Sequence, residues 1–157
     1  PYAVKVDSIG NTAFAGFLTK QQSLSPLIVN AWLRRYIVEA RSVISDPIAQ
    51  KHQLDFIYNI THSAARSVLD NYYHTQNPFE IMKKETIDVA INTVLPKSSD
   101  TWQIDWTETR RDLQGNISHK NHFEALLTVH QRPPSAADLN TNPLGLYISH
   151  LSWASQQ

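Results

Sequence analysis

The chain contains no cysteine, and that absence removes a disulfide framework, a thiolate zinc site and a thiol nucleophile together. It has no surplus charge either: Lys+Arg and Asp+Glu both number 14, for a formal net charge of +0. Nucleic-acid binding draws on a basic surplus that meets phosphates, so direct nucleic-acid binding is not expected. No run approaches the ~18 apolar residues that carry a helix across a bilayer. No internal repeat, low-complexity tract or composition shift marks a domain boundary. The 157 residues therefore read as one domain, 1–157. A chain of this size can bury roughly 70% of its unfolded surface and needs no covalent staple. It begins at Pro1 rather than Met, which reads as a soluble domain excised from a longer parent.

What is present is ordered by period. Residues 3–20 alternate loosely around Gly10-Asn11 and read as two short extended pieces. Ser25-Pro26 then supplies an N-cap and a proline at the first helical position. Ile28, Ala31, Trp32, Ile37, Ala40 and Ile44 recur at helical spacing, which predicts a helix over 26–44. Asp46-Pro47 repeats the start signal, and the stripe Ile57, Ile60, Ala64, Val68, Tyr72 predicts one helix reaching about residue 74. Asn77-Pro78 opens a third, short helix.

After Glu85 the period drops from 3.6 to 2. Ile87, Val89, Ile91 and Leu95 share one face of a strand, and Trp102, Ile104 and Trp106 share a face of the next. The same parity brings Glu108 onto that second face, so the strand is expected to leave the core after Trp106. Asp112-Leu113-Gln114-Gly115-Asn116 is a hairpin turn. Phe123, Ala125, Leu127 and Val129 line a third strand, ended by Pro133-Pro134, and a fourth strand covers 145–153. Helices followed by an antiparallel sheet argue for an α+β fold. Two long helices on a curved sheet of about four strands form a nuclear-transport-factor-2-like cone.

A cone can be an enzyme, and an isomerase or dehydratase of that shape needs a desolvated carboxylate or histidine among apolar walls. Asp88, Asp105, Glu124, His122 and His130 all fall opposite the apolar strand faces, on the solvated side. No catalytic residue is therefore assigned. His119 and His122 are three apart on a strand and point to opposite faces, while His122 and His130 lie roughly 27 Å apart by strand rise. His52 and His62 are too far apart along a helix for joint ligation. Neither a metal nor a cofactor is expected. The doublets Arg34-Arg35, Lys83-Lys84 and Arg110-Arg111 each sit beside acid and read as solvated ion-pair faces.

The most distinctive stretch is Asn142-Pro143-Leu144-Gly145, followed by Leu146-Tyr147-Ile148-Ser149-His150-Leu151-Ser152-Trp153. Asn, Pro and Gly take the first, second and fourth places of a type I turn, with Leu144 pointing outward as an exposed apolar contact. The stiff turn feeds the last strand. Together with Val6-Asp7-Ser8-Ile9-Gly10, the run Trp32 to Arg41, Ser45-Asp46-Pro47, Val94-Leu95-Pro96 and the run Asp100 to Thr109, it resembles the TrbF family of conjugation systems. These are the inner-membrane assembly factors of type IV secretion. The family begins with a short cytoplasmic tail and one transmembrane helix, and neither is in this sequence.

The resemblance implies the same cone fold and a periplasmic domain of an inner-membrane, single-pass protein. It implies a non-catalytic role, in which the domain docks to other inner-membrane and periplasmic components of a secretion machine and weakly to a second copy of itself as a homodimer. It also implies partner binding through Asn142, Pro143, Leu144 and Gly145. On the first helix it implies a groove and self-association role for Trp32, Tyr36 and Arg41, aromatic and arginine side chains being favoured interface anchors. The alternative is a small-molecule-binding or enzymatic cone. Purely apolar lining would favour the binding module, and a His-Asp pair inside the cone would favour the enzyme.

Overall fold

The computed structural model describes residues 24–156. The two extended pieces expected within residues 3–20 lie outside the described residues.

Helix α1 spans Pro26–Arg41. Ser25 caps it, its hydroxyl accepting from the Leu27 amide at 3.1 Å, and Pro26 occupies the first turn, where no amide donor is needed. Trp32, Leu33, Tyr36, Ile37 and Ala40 form its buried face. The helix ends at Arg41, not at residue 44. Ser42 is extended, and Val43 leaves the helix to exchange two backbone hydrogen bonds with Ile87, at 3.0 and 2.9 Å.

The single helix expected from residue 47 to about 74 is two. Helix α2 is Pro47–Asn59, capped by Asp46, and α3 is Ser63–Thr75. Between them the chain is captured by the last strand. The Ile148 amide donates to the Ile60 carbonyl at 2.9 Å, and the His62 amide donates to the Ile148 carbonyl at 2.8 Å. Ser63 takes a left-handed φ of 56°, which turns the chain into α3. The break shifts the helical phase, so Ala65 and Leu69 are the buried residues of α3, while Ala64 is exposed. Helix α4, Pro78–Ile81, is the short third helix expected at Asn77-Pro78.

Four strands follow: β1 Glu85–Pro96, β2 Thr101–Asp112, β3 Ile117–Gln131 and β4 Leu146–Gln156. They form an antiparallel sheet in the order β1-β2-β3-β4, a simple meander. The Asp112 turn closes as expected, with Gly115 at φ 91°. A bulge between Ile91 and Thr93 inverts the parity of β1. Val94 is therefore buried and Leu95 is 48% exposed, the reverse of the alternation expected for Leu95. The helices cover one face of this open sheet, and the core between them holds Trp32, Tyr36, Ile37, Ile104, Trp106, Leu127 and Ile148. The architecture is the α+β one expected, helices packed on a four-stranded antiparallel sheet.

Candidate functional site

Two structural features meet at the end of the sheet where β4 begins. The first is the Asn142 turn. The Gly145 amide donates to the Asn142 carbonyl at 3.1 Å and closes a four-residue turn. Gly145 sits at φ 67°, and a Cβ there would lie 1.8 Å from the Arg132 carbonyl oxygen. No other residue type fits that approach. The contact is close because the Arg132 amide donates to the Gly145 carbonyl at 2.7 Å, tying the end of β3 to the start of β4. Asn142 is buried, and its Nδ2 donates to the Leu146 carbonyl at 3.0 Å. Pro143 is exposed. Leu144 does not point outward: it is half-buried and packs against the core cluster. The physical reason is the tie to Arg132, which folds the turn back onto the sheet.

The second feature is a groove of about 380 Å³ between the start of α1 and the strand ends. Leu24, Pro26 and Val29 form one wall, and Trp102, Val129 and Leu146 the other. Leu146 directly follows the turn, so turn and groove are continuous.

Deeper in the fold lies a charged pair that strand alternation placed correctly but polarity misassigned. Glu108 is 2% exposed and Arg41 4%, and Arg41 Nε donates to Glu108 Oε2 at 2.6 Å. Strand β2 therefore does not leave the core after Trp106. The Trp106 indole N–H donates to the same carboxylate oxygen at 2.8 Å. Around the guanidinium stand Tyr72 at 4.2 Å, Phe123 at 4.5 Å, Trp153 at 4.7 Å and Trp106 at 5.4 Å from ring centroids. Four rings from α3, β2, β3 and β4 thus close on one cation from α1, adding ring-quadrupole attraction to the ion pair. Burial pushes the Tyr72 phenol up, an effect the nearby Arg41 charge partly offsets.

Trp32, Tyr36 and Arg41 share the inward side of α1 and are all buried. Trp32 stacks on Tyr36 at 5.9 Å between centroids, and the Tyr36 hydroxyl meets Thr61 Oγ1 at 2.7 Å. Burial raises the Tyr36 phenol well above its ordinary value. These side chains hold α1 on the sheet and do not present themselves at the surface.

The polar candidates lie where alternation put them. Asp88 is exposed beside Arg111, 3.5 Å away. Asp105 accepts from Thr93 Oγ1 at 2.6 Å, and Glu124 accepts from Gln156 at 2.9 Å. His122 meets Thr107 Oγ1 at 2.9 Å, and His130 is exposed. Among the described residues, no group of three or more His, Cys, Asp or Glu is placed to hold a metal ion. The doublets do form ion pairs: Arg35 with Glu39 at 3.2 Å and Lys83 with Glu80 at 2.9 Å. Arg110 pairs across the sheet with Glu85 at 3.2 Å, not with the neighbouring Glu108 or Asp112. No helix among the described residues is long and apolar enough to cross a membrane.

Comparison with known proteins converges on one group. The family model described as VirB8 protein matches residues 1–156. The conjugal transfer protein TrbF of Rhizobium radiobacter is 31% identical over 159 residues, covering 99% of this chain and 72% of that protein. The TrwG component of the type IV secretion system from Bartonella birtlesii superposes with a TM-score of 0.73 at 18% identity, over 86% of this chain and 95% of that one. VirB8 of Agrobacterium tumefaciens gives a TM-score of 0.72 at 16% identity, over 87% and 98%. The shared fold is the nuclear-transport-factor-2-like cone expected from the order of elements.

Proposed function

We propose, for a chain that belongs to the VirB8 family, that it is the periplasmic domain of an assembly component in a type IV secretion machine for conjugal transfer. It works by holding other components, not by covalent chemistry. The family match along residues 1–156 carries this reading, and the local geometry supports it. A rigid turn exposes Pro143 and runs directly into Leu146, which lines the groove, and loops on rigid scaffolds are favoured binding elements. Asn142 and Gly145 serve recognition by fixing the turn, while Pro143 and the accessible edge of Leu144 meet the partner. Trp32, Tyr36 and Arg41 serve it by fixing α1, which forms the opposite wall of the groove.

The domain also associates weakly with a second copy. Anchoring in a membrane raises effective concentration, so the isolated domain needs only a small interface, below ~1,200 Å² in total, and dissociates when dilute. The parent protein is membrane-anchored and passes the inner membrane once.

The test is transfer in cells. Pro143→Glu alters the exposed turn residue and leaves the Asn142 and Gly145 tethers intact. It is expected to melt like the parent domain and to reduce conjugation and co-purification of neighbouring secretion proteins. Normal transfer by this folded variant would remove the docking role of the turn.

The enzymatic alternative has one observation to answer, the buried acid Glu108. Its carboxylate is held by Arg41 and Trp106, and it does not line the groove beside α1. A carboxylate fixed in an ion pair is a poor general base.

A further inference from the structure

The two edges of the sheet are protected unequally. Strand β1 carries the features that block strand addition: a bulge at Ile91/Thr93, Pro96 at its end, and Val43 hydrogen-bonded along it at Ile87. Strand β4 is covered over its first part only, where Ile60 and His62 bond to Ile148. From Ser149 to Gln156, among the described residues, β3 is the one strand that pairs with it, and no other backbone hydrogen bond is made. The stretch Leu151-Ser152-Trp153-Ala154-Ser155-Gln156 has no charged residue, no proline, no glycine and no bulge. Ser152, Ala154, Ser155 and Gln156 are exposed. Natural edges are commonly blunted by just those missing features.

We propose that this edge is the self-association surface, pairing antiparallel with the same edge of a second copy to make one continuous eight-stranded sheet. The inference rests on the weak self-association put forward above and assigns it a place. Charge favours a second copy as the occupant. In a two-fold antiparallel pairing the segment meets its own copy, so a segment carrying charge of one sign would bring like charges close together, which destabilises cross-strand pairs. This segment carries none. The nearest acids, Glu124 and Asp105, sit inward of the edge and are both bridged by Gln156. The contact is short, so the association is weak.

Ser152 and Ala154 lie opposite Leu126 and Glu124 on β3, on the face of the sheet away from the helices. Ser152→Lys with Ala154→Lys therefore places cations on the edge without entering the core. Sedimentation equilibrium with the 157-residue domain is expected to show the dimer dissociation constant raised by about tenfold or more in this variant, with an unchanged thermal melt. Hydrogen exchange is expected to show the amides of 151–156 gaining protection as parent protein concentration rises. A dimer that persists in the lysine variant, without concentration-dependent protection there, overturns the edge assignment and leaves weak self-association standing through another surface. A parent domain that stays monomeric at millimolar concentration overturns both. Protection of 151–156 that appears only when a purified partner component is added would assign the edge to a foreign strand instead, and overturn the second copy as its occupant.

Discussion

Arg41 on α1 and Glu108 on β2, 67 residues apart in sequence, form an ion pair at 2.6 Å with both side chains buried. The pair joins the first helix to the centre of the sheet, and aromatic rings from α3, β3 and β4 close around it. Two charges taken out of water each carry a large desolvation cost, repaid only while both remain. Glu108→Ala leaves the guanidinium buried and uncompensated and is expected to cost about 3–5 kcal/mol in urea unfolding. Arg41→Met with Glu108→Leu removes both charges and should recover most of that loss. A loss below ~1 kcal/mol in the single variant would show that water reaches the pair.

The two positive-φ glycines separate conformational cost from steric cost. Gly115 sits at φ 91° with no atom within 4 Å of the place a Cβ would take, so Gly115→Ala should cost about 1 kcal/mol. Gly145 has a similar φ, 67°, but a Cβ there meets the Arg132 carbonyl oxygen at 1.8 Å. Gly145→Ala must break the bond from Arg132 to the Gly145 carbonyl or shift the turn, and is expected to cost at least ~2 kcal/mol more than Gly115→Ala. Equal losses in thermal melts of the two variants would mean the turn relaxes freely.

Much of the sheet was readable because alternation is a local signal that sits in each strand. The Trp102, Ile104, Trp106 face and the Ala125, Leu127, Val129 face are both buried as their spacing indicates. What was not readable depends on distant partners. The break at Ile60 follows from capture by Ile148, 88 residues later, and the chain around the break carries no Gly or Pro to announce it. The bulge near Asn92 reverses Leu95 and Val94 with no local marker. Glu108 kept the right parity, and only its charge argued for the surface. The signal that could have placed it inside was the lone Arg41, at the end of an otherwise apolar helical face. At the turn, the four residue types indicated the geometry, but the inward packing of Leu144 comes from the Arg132 tether.

Asn142 also ties the turn to the start of β4. Its amide is buried and donates to the Leu146 carbonyl, so Asn142→Ala leaves a buried acceptor without that donor. The expected loss is about 1–3 kcal/mol by chemical unfolding. Asn142→Asp should be no better, because a carboxylate cannot donate. If both variants melt like the parent domain, the bond to Leu146 contributes nothing net.

The phenols supply a pH signature. Burial is the first cause that raises Tyr36, Tyr58, Tyr72 and Tyr73 above the ordinary value near 10. A group whose folded pKa lies above its unfolded one stabilises the fold fully below the unfolded value, and that contribution is lost as pH rises toward the folded one. The domain should therefore keep its stability up to about pH 10 and lose it progressively above. Phenolate absorbance followed with circular dichroism should show these tyrosines ionising together with unfolding, not before it. Tyr36→Phe tests the cause. It removes the most deeply buried of these hydroxyls, along with its bond to Thr61 at 2.7 Å, so it should lower stability at neutral pH while flattening the alkaline decline. A phenolate titration complete near pH 10 in the folded state would show that these hydroxyls are open to water.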